Sequence, residues 1–85
     1  MKSFTYTITD SLGIHARPAG QIVNLAKQYS STIVIHNGEK QASATKLMAV
    51  MALGIKCGQN AEVTAEGEDE DAAIAAMQEF FEQNL

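Results

Sequence analysis

The chain has 85 residues, of which 46% are hydrophobic and only one is proline, a composition that argues against a disordered linker protein. Its formal net charge of −4 is unevenly divided: residues 1–56 hold all six basic residues and two acidic ones, whereas residues 57–85 hold eight acidic residues and no basic one. A nucleic-acid-binding domain needs a net positive charge or a long basic stripe, so we expect no nucleic-acid partner.

The first predicted elements are a strand and a helix. Residues 3–8 alternate between apolar and polar side chains, which is typical of a strand with one buried face. Apolar residues then recur at the spacing of an amphipathic helix that runs to about Tyr29: Ala19, Ile22, Val23 and Ala26. Pro18 is tolerated in the first turn of such a helix, because the N–H that it lacks would have no partner there. His15 is therefore expected at the amino end of this helix.

The next predicted elements are a hairpin and a short helix. Residues 32–36 form a β-branched run, and Asn37-Gly38 is a strong signal for a tight turn between two antiparallel strands. Residues 40–43 are then the returning strand. Residues 46–53 are apolar nearly all round and are followed by Gly54, which indicates a short helix that ends at this glycine.

The last predicted elements are a fourth strand and a closing helix. Residues 61–66 alternate between apolar and polar side chains, as a half-buried strand does. Asp69, Glu70 and Asp71 lie where the positive end of a helix dipole favours acidic side chains. The buried stripe of the closing helix is expected to consist of five residues: Ala73, Ile74, Met77, Phe80 and Phe81.

The predicted element order is β-α-β-β-α-β-α, within a single domain that spans residues 1–85. Short connections and a tight hairpin favour an α+β fold, with a four-stranded antiparallel sheet and three helices on one face. A parallel sheet covered on both faces would show continuous apolar runs instead of the alternation seen in the first and last strands.

The stretch from Gly13 to Pro18 combines three features of a phosphate site. A helix amino end presents N–H groups without partners and the positive end of the helix dipole, so the N–H groups of Ala16 and Arg17 are expected to bind a phosphoryl group. His15 supplies a nitrogen nucleophile of a type that is substantially neutral at cell pH. Arg17 adds a permanently charged fork that matches phosphate oxygens. On these physical grounds alone, a solvated or capping histidine stays an open alternative.

The rest of the sequence gives weaker indications of location and of cofactor binding. No apolar run approaches the roughly 20 residues that cross a bilayer, and no signal peptide opens the chain, so neither membrane insertion nor export is expected. Cys57 is the only cysteine and cannot form an internal disulfide, which favours a reducing compartment and a cytoplasmic location. His15, His36 and Cys57 lack the spacing of metal ligands, so we expect no metal and no cofactor.

One run of this sequence resembles the active-site signature of the HPr family, the small phosphocarriers of the bacterial phosphoenolpyruvate:sugar phosphotransferase system: Gly13-Ile14-His15-Ala16-Arg17-Pro18-Ala19. The resemblance covers the whole chain, since Asn37-Gly38, residues 47–55 and residues 65–70 also match the family, and length and element order agree. It implies the HPr-like open-faced β-sandwich. It also implies a carrier with a covalent phosphohistidine intermediate, and no enzyme that turns over a substrate of its own.

The resemblance implies a role for each matching residue. His15 and Arg17 would be the catalytic pair: His15 would accept the phosphoryl group on its ring Nδ1 from Enzyme I, with phosphoenolpyruvate as the ultimate donor. A histidine on an Enzyme IIA domain would then receive the group, which leads towards sugar uptake. Arg17 would steady the phosphoryl oxygens in both transfers. The chain would act as a monomer that binds each partner briefly through a small interface.

The short apolar helix would supply the docking surface for these partners. If Val50 and Leu53 face the sheet, the other large apolar side chains of this helix point outward: Leu47, Met48 and Met51. Gly20, Lys27 and Lys46 complete the expected partner-binding set, with the two lysines framing the apolar patch for acidic partner surfaces. From the pattern alone, burial of the whole helix in the core is the alternative.

The sequence departs from the family at position 46. Many relatives carry a regulatory serine there, at the amino end of the short helix, which a dedicated ATP-dependent kinase phosphorylates. This chain has Lys46, preceded by Thr45. A lysine cannot accept phosphate in that reaction, so we expect the serine switch to be absent or altered. Thr45 lies one residue early, although it is a suitable helix cap.

Two other functions stay open at this point. An HPr-like chain can serve a regulatory phosphorelay, for example one for nitrogen control or one for a dihydroxyacetone kinase. It can also be a non-catalytic interaction module that has kept the fold and acts by binding alone. The intact pair of His15 and Arg17 argues against the second function, because a binding-only relative is free to lose the histidine.

Overall fold

The computed structural model describes residues 1–85 and contains the predicted elements in the predicted order. Four of them are strands: β1 (Lys2–Thr7), β2 (Thr32–Asn37), β3 (Lys40–Ser43) and β4 (Asn60–Glu66). The other three are helices: α1 (Ala16–Ala26), α2 (Leu47–Ala52) and α3 (Glu70–Asn84). The strands form one antiparallel sheet in the order β1-β4-β2-β3, which confirms the predicted α+β fold.

The centre of the sheet is β4, which pairs with β1 on one side and with β2 on the other. Val63 is fully buried and lies opposite Phe4 of β1 and Ile35 of β2. Its neighbours on the same face, Ala61 and Ala65, are also fully buried. These small side chains alternate with exposed or half-exposed polar ones, so the helices pack closely on one face and leave the other face open.

The three helices pack on the buried face of the sheet around one hydrophobic core. α3 lies against β1 and β4, α1 packs against α3 and α2, and α2 reaches β3. The core side chains of α3 are Ala73, Met77 and Phe81, whereas Ile74 and Phe80, also expected in the stripe, are only half-buried at its edge. The Phe81 ring meets Phe4 and Tyr6 edge to face, with centroids 5.5 and 6.0 Å away. No helix is long and apolar enough to cross a membrane.

The first helix ends earlier than its periodicity predicts. α1 stops at Ala26, and the chain continues to Tyr29 as a turn in which Gln28 and Tyr29 donate to the carbonyls of Leu25 and Ala26. Immediately afterwards, the Asp69 carboxylate accepts the N–H groups of Ser30 and Ser31 and so directs the chain into β2. The apolar pattern could not predict this end, because the turn still buries one side of Tyr29.

Two smaller expectations also differ from the structure. The predicted strand reaches residue 8, whereas β1 ends at Thr7. Ile8 continues the alternation and is fully buried, because side-chain burial extends beyond the paired strand. The residue that caps α2 is Lys46, so the suggestion of Thr45 as the cap is wrong. The Thr45 hydroxyl is instead engaged with the hydroxyl of Ser43, 2.9 Å away, at the end of β3.

Candidate functional site

The loop between β1 and α1 is held against the loop that precedes β4. Ile8 donates its N–H to the carbonyl of Gln59 (2.9 Å) and accepts the N–H of Gly58 (2.8 Å). Further along, Ile14 donates its N–H to the carbonyl of Ile55 (3.0 Å). Because Ile8, Ile14 and Ile55 are also buried in the core, both ends of this loop are anchored.

A tight turn inside this loop sets the path of the chain before the first helix. The carbonyl of Asp10 accepts the N–H of Gly13 (2.9 Å), and its carboxylate oxygen Oδ1 accepts the N–H of Leu12 (2.8 Å). Gly13 has φ +68°, and a Cβ built on it would lie 2.3 Å from the carbonyl oxygen of Ile55. Only glycine therefore fits at this position.

His15 is the N-cap residue of α1, as predicted. Its backbone is extended (φ −98°, ψ −170°), and its carbonyl accepts the N–H of Ala19 (2.9 Å). The half-buried imidazole makes no capping hydrogen bond and no ion pair. Both ring nitrogens are therefore without a protein partner, so they are free to react or to bind a ligand.

The first turn of α1 leaves two backbone N–H groups unpartnered. Those of Ala16 and Arg17 donate to no acceptor, Pro18 has none to donate, and that of Ala19 is engaged by the carbonyl of His15. No acidic side chain lies in this turn to neutralise the positive end of the helix dipole. Two free donors and an uncompensated dipole directly after His15 are the features that favour binding of an anion at a helix end.

Arg17 lies on the surface at this site and forms no ion pair, since the two ion pairs of the structure lie at the opposite end of β1, on Met1 and Lys2. It borders an open cleft of about 200 Å³ that is lined by five residues: Asp10, Arg17, Pro18, Gln21 and Asn84. A fork of charged donors is thus available beside the two free N–H groups.

The lining of this cleft was not anticipated from the sequence beyond Arg17. Asp10 belongs to the turn before Gly13, and the only local signal for it was the turn composition. Asn84 comes from the far end of the chain, where the main-chain oxygen of Leu85 accepts hydrogen bonds from the N–H of Asp10 (2.8 Å) and the hydroxyl of Thr9 (2.9 Å). No sequence pattern predicts that contact, because it depends on how α3 packs against the rest of the core.

The predicted docking residues are exposed in the manner expected. Val50 and Leu53 are buried, whereas the three outward side chains of α2 have exposed fractions of 40%, 76% and 38%: Leu47, Met48 and Met51. Lys27 and Lys46 are exposed, at the end of α1 and the start of α2. Gly20 is half-buried, with open space where a Cβ would lie. Leu12, which the sequence did not single out, is 70% exposed in the turn before His15.

The remaining candidate residues lie apart from this site. The His36 ring is half-buried in β2, with Nε2 3.4 Å from the Thr64 hydroxyl. Cys57 is exposed, and its thiol lies 3.7 Å from the carbonyl of Thr9. No three histidine, cysteine or acidic side chains are grouped so that they could hold a metal ion.

Comparison with known proteins places this chain in a family. Residues 2–83 match the family PTS-HPr, described as the PTS HPr component phosphorylation site. The phosphocarrier protein HPr of Lysinibacillus sphaericus is 43% identical over 77 residues, which are 91% of this chain and 88% of that protein. This similarity extends well beyond the stretch around His15.

Solved structures agree with the sequence relatives. The crystal structure of HPr-C-His from Thermoanaerobacter tengcongensis superposes with a TM-score of 0.92 at 37% identity, and it covers 98% of this chain and 93% of that chain. A crystal structure of an HPr dimer from the same organism has a TM-score of 0.77 at 37% identity, with 98% and 95% of the two chains covered. The open-faced sheet with three helices is therefore the fold of these relatives.

Proposed function

The chain belongs to the HPr family of phosphocarrier proteins of the phosphotransferase system, and we propose that His15 is the residue that carries its phosphoryl group. The observation that supports this role is the arrangement at the amino end of α1. His15 has an imidazole with two unengaged nitrogens, and it is followed in the chain by the two free N–H groups of Ala16 and Arg17 and by the unpaired Arg17 guanidinium. No other histidine of the chain has such surroundings.

The transfer we propose is a displacement at phosphorus. The neutral Nδ1 of His15 forms the new bond to phosphorus while the bond between phosphorus and the donor, phosphorylated Enzyme I, breaks. The negative charge of the transferring group lies on its three equatorial oxygens. The N–H groups of Ala16 and Arg17 and the Arg17 guanidinium stabilise that charge. The same steps in reverse deliver the group to an Enzyme IIA domain.

We propose that both partners dock on the apolar patch of α2, which consists of Leu47, Met48 and Met51. Exposed apolar side chains are the usual core of a protein–protein interface, and methionine adapts to partners of different shape. Gly20, Lys27 and Lys46 would extend this contact, and the two lysines would meet acidic groups of the partner. The carrier would act as a monomer in the cytoplasm, where Cys57 stays reduced.

We also propose that His15 is the only functional phosphorylation site of this chain and that no regulatory serine site exists beside it. The family's regulatory serine position is occupied by Lys46, which caps α2 and has no hydroxyl. Thr45 and Ser43 are engaged with each other through their hydroxyls. Incubation with the ATP-dependent kinase should therefore leave the protein unlabelled, whereas Lys46→Ser should become a substrate. Phosphate found on Thr45 or Ser43 of the natural sequence would contradict this.

The test of the carrier role is a phosphorylation assay with Enzyme I and labelled phosphoenolpyruvate. The protein should acquire an acid-labile, alkali-stable label that His15→Ala abolishes. His36→Ala serves as the matched control and should retain the label, because His36 lies in β2 away from the free helix end. A wild-type protein that remains unlabelled would favour the binding module instead.

The identity of the acceptor then separates sugar transport from a regulatory phosphorelay. The labelled protein is mixed with purified Enzyme IIA domains of each kind, and loss of label from the carrier is followed over time. Rapid transfer to a sugar-specific domain is the expected result. Transfer only to a regulatory domain would assign the chain to the other pathway while leaving the role of His15 intact.

A further inference from the structure

Asn37 is a polar residue on the side of the sheet that the helices cover. Ile33 and Ile35 of β2 are fully buried on that side, and because side chains alternate along a strand, Asn37 is the next residue in their row. Its side chain is half-buried. A polar group in such a place needs a hydrogen-bond partner, and the amide nitrogen Nδ2 has one, since it donates to the carbonyl of Leu53 (2.8 Å).

The hairpin turn does not require this asparagine. The register of β2 and β3 pairs Asn37 with Lys40, so the two central residues of the turn are Gly38 and Glu39. Gly38 has φ +62°, and no residue other than glycine has a positive φ. This is the pattern of a type II′ turn, which needs glycine at its first central position. Asn37 precedes the turn, so its amide is available for a contact elsewhere.

The contact with Leu53 makes the hairpin hold α2 at both ends. At the amino end, Lys46 donates its N–H to the carbonyl of Ser43 at the end of β3 (3.1 Å). At the other end, Leu53 is the C-cap residue, and a carbonyl at a helix end has no acceptor role within the helix. The hydrogen bond from Asn37 is the only one that a side chain makes to α2 or to its two cap residues.

The last turn of α2 has little else to stabilise it. Helices as short as this one are not stable on their own, and Val50 is the only buried residue within it. The turn is closed by two long hydrogen bonds of 3.2 Å, from the N–H of Leu53 to the carbonyl of Val50 and from that of Gly54 to that of Met51. Met51 belongs to the exposed apolar patch, so the amide of Asn37 supports the turn that presents this side chain.

We propose that Asn37 is a positioning residue for partner docking, an inference that rests on the proposed docking of Enzyme I and Enzyme IIA domains on α2. Its hydrogen bond orders the last turn of α2 in the free carrier, so that Met51 is already in place when a partner arrives. Without the bond, the partner has to order this turn as it binds, which weakens the complex. The phosphoryl transfer at His15, on a different helix, is unaffected.

The test is a kinetic comparison with Enzyme I, in which the carrier is the varied substrate. Asn37→Ala should raise the KM about two- to tenfold, the range of one hydrogen bond, and leave kcat unchanged. Asn37→Asp keeps the shape but turns a carboxylate towards the Leu53 carbonyl, so its KM should rise at least as much. Asn60→Ala is the matched control, because it removes the hydrogen bond from the Thr7 hydroxyl to the Asn60 side chain (2.6 Å) at the edge of the sheet. An unchanged KM for Asn37→Ala, or an equal rise for Asn60→Ala, would overturn the proposal.

A double-mutant cycle asks whether the effect acts through Met51. Met51→Ala should raise the KM by itself, and Asn37→Ala should add less than about twofold in that background. A full-sized additional rise would overturn the proposal. If Met51→Ala raises the KM and Asn37→Ala does not, the role of Asn37 is refuted and the docking surface stands. If neither variant changes the KM, the proposed docking surface is refuted together with the role of Asn37.

Hydrogen exchange measured by NMR on the carrier alone gives a readout that needs no partner. The amides of Leu53 and Gly54 should exchange about two- to tenfold faster in Asn37→Ala and at the natural rate in Asn60→Ala. Unaltered exchange in Asn37→Ala would overturn the proposal even if the KM rose, because the bond would then not hold α2. Since this measurement involves no phosphoryl transfer, a carrier that fails the labelling assay would refute the function of His15 separately.

Discussion

At the scale of single residues, the site depends on what two of them lack. Pro18 has no N–H, and Ala19 donates to the carbonyl of His15, so the free donors of the first turn are limited to Ala16 and Arg17. Gly13 has no Cβ, which lets the chain pass directly under the carbonyl of Ile55. The missing backbone N–H of Pro18 and the missing side chain of Gly13 thus determine which donors follow His15 and how the chain reaches it.

Gly13→Ala should be strongly destabilising. The added Cβ would lie 2.3 Å from the Ile55 carbonyl oxygen, in a backbone conformation that L-residues rarely adopt (φ +68°). We expect a loss of at least about 2 kcal/mol in the free energy of unfolding, measured by urea denaturation. The matched control is Gly38→Ala, which has a similar φ of +62° but open space around the Cβ. Equal losses in the two variants would show that the contact with Ile55 is unimportant.

At the scale of elements, α2 is too short to bury more than one side. Its six residues make fewer than two turns, and Val50 is the only one of them that is buried. The large side chains on the other side stay in solvent, where Met48 is the most exposed. A short helix that packs by one residue therefore forms a surface suited to docking without weakening the core.

Met48→Glu should impair partner binding while leaving the fold intact. The charge would lie on the most exposed residue of the apolar patch, where Enzyme I or an Enzyme IIA domain would have to desolvate it. We expect an increase of roughly tenfold or more in the KM of Enzyme I for the carrier, with little change in the melting temperature. Gln78→Glu places the same charge on the exposed side of α3 and should leave the KM unchanged. A KM for Met48→Glu close to that of the natural protein would exclude the patch from the interface.

The amino end of α3 shows how one carboxylate joins distant elements. Asp69 is the N-cap residue of α3, but its carboxylate makes no bond to its own helix; it accepts hydrogen bonds from the Ser31 hydroxyl and from the N–H groups of Ser30 and Ser31, just before β2. These hydrogen bonds hold the pKa of Asp69 below its ordinary value of 3.8, and the bond from the Ser31 hydroxyl has the largest effect. The N–H of Gly67 is the main group that lowers the Glu70 pKa below 4.5, and the Met1 amino group adds to it.

This contact predicts how stability changes with pH. Because both pKa values are lower in the folded chain, the unfolded chain binds protons first as the pH falls through 4.5 and 3.8. The stabilisation is fully present above that range and is lost as the pH approaches the folded pKa values. Asp69→Asn should lower the melting temperature at pH 7 and flatten its decline between pH 5 and about pH 2. Asp71→Asn should change neither, and an unaltered pH profile for Asp69→Asn would rule out this origin of the acid sensitivity.

At the scale of the whole molecule, one core supports both the sheet and the site. The cluster of 20 buried hydrophobic residues includes Ile8, Ile14 and Ile55, which anchor the loop that carries His15. The same cluster includes Val50 and Leu53, which orient α2 and its exposed apolar patch. A loss of core packing is therefore expected to disturb transfer and docking together.

Phe81→Ala should test this common support. Phe81 is completely buried and its ring contacts those of Phe4, Tyr6 and Phe80, so truncation should reduce the free energy of unfolding by about 3–5 kcal/mol. That is a large part of the total stability of a domain of this size. Phe80→Ala, at a half-buried neighbouring position, should lose clearly less in the same denaturation experiment. Similar losses at the two positions would contradict the central place of Phe81.

The sequence by itself predicted the features that depend on neighbours along the chain. Periodicity placed His15 at the amino end of a helix, and Asn37-Gly38 marked the hairpin. For α2 the pattern allowed Val50 and Leu53 to face the sheet but left burial of the whole helix open. Each of these follows from residues within a few positions of one another, where backbone geometry links spacing directly to structure.

Only the tertiary structure decided the contacts that join distant parts of the chain. Three such contacts join residues that are about 40 to 75 positions apart in the sequence. They are the packing of Gly13 under Ile55, the hydrogen bonds from Ser30 and Ser31 to Asp69, and the cleft that Asp10 shares with Asn84. Such pairs leave no periodic signal, because they form only when the helices are packed on the sheet. The donors that surround His15 are therefore set by its own helix, whereas the position of that helix and the acidic neighbour of Arg17 are set by the rest of the molecule.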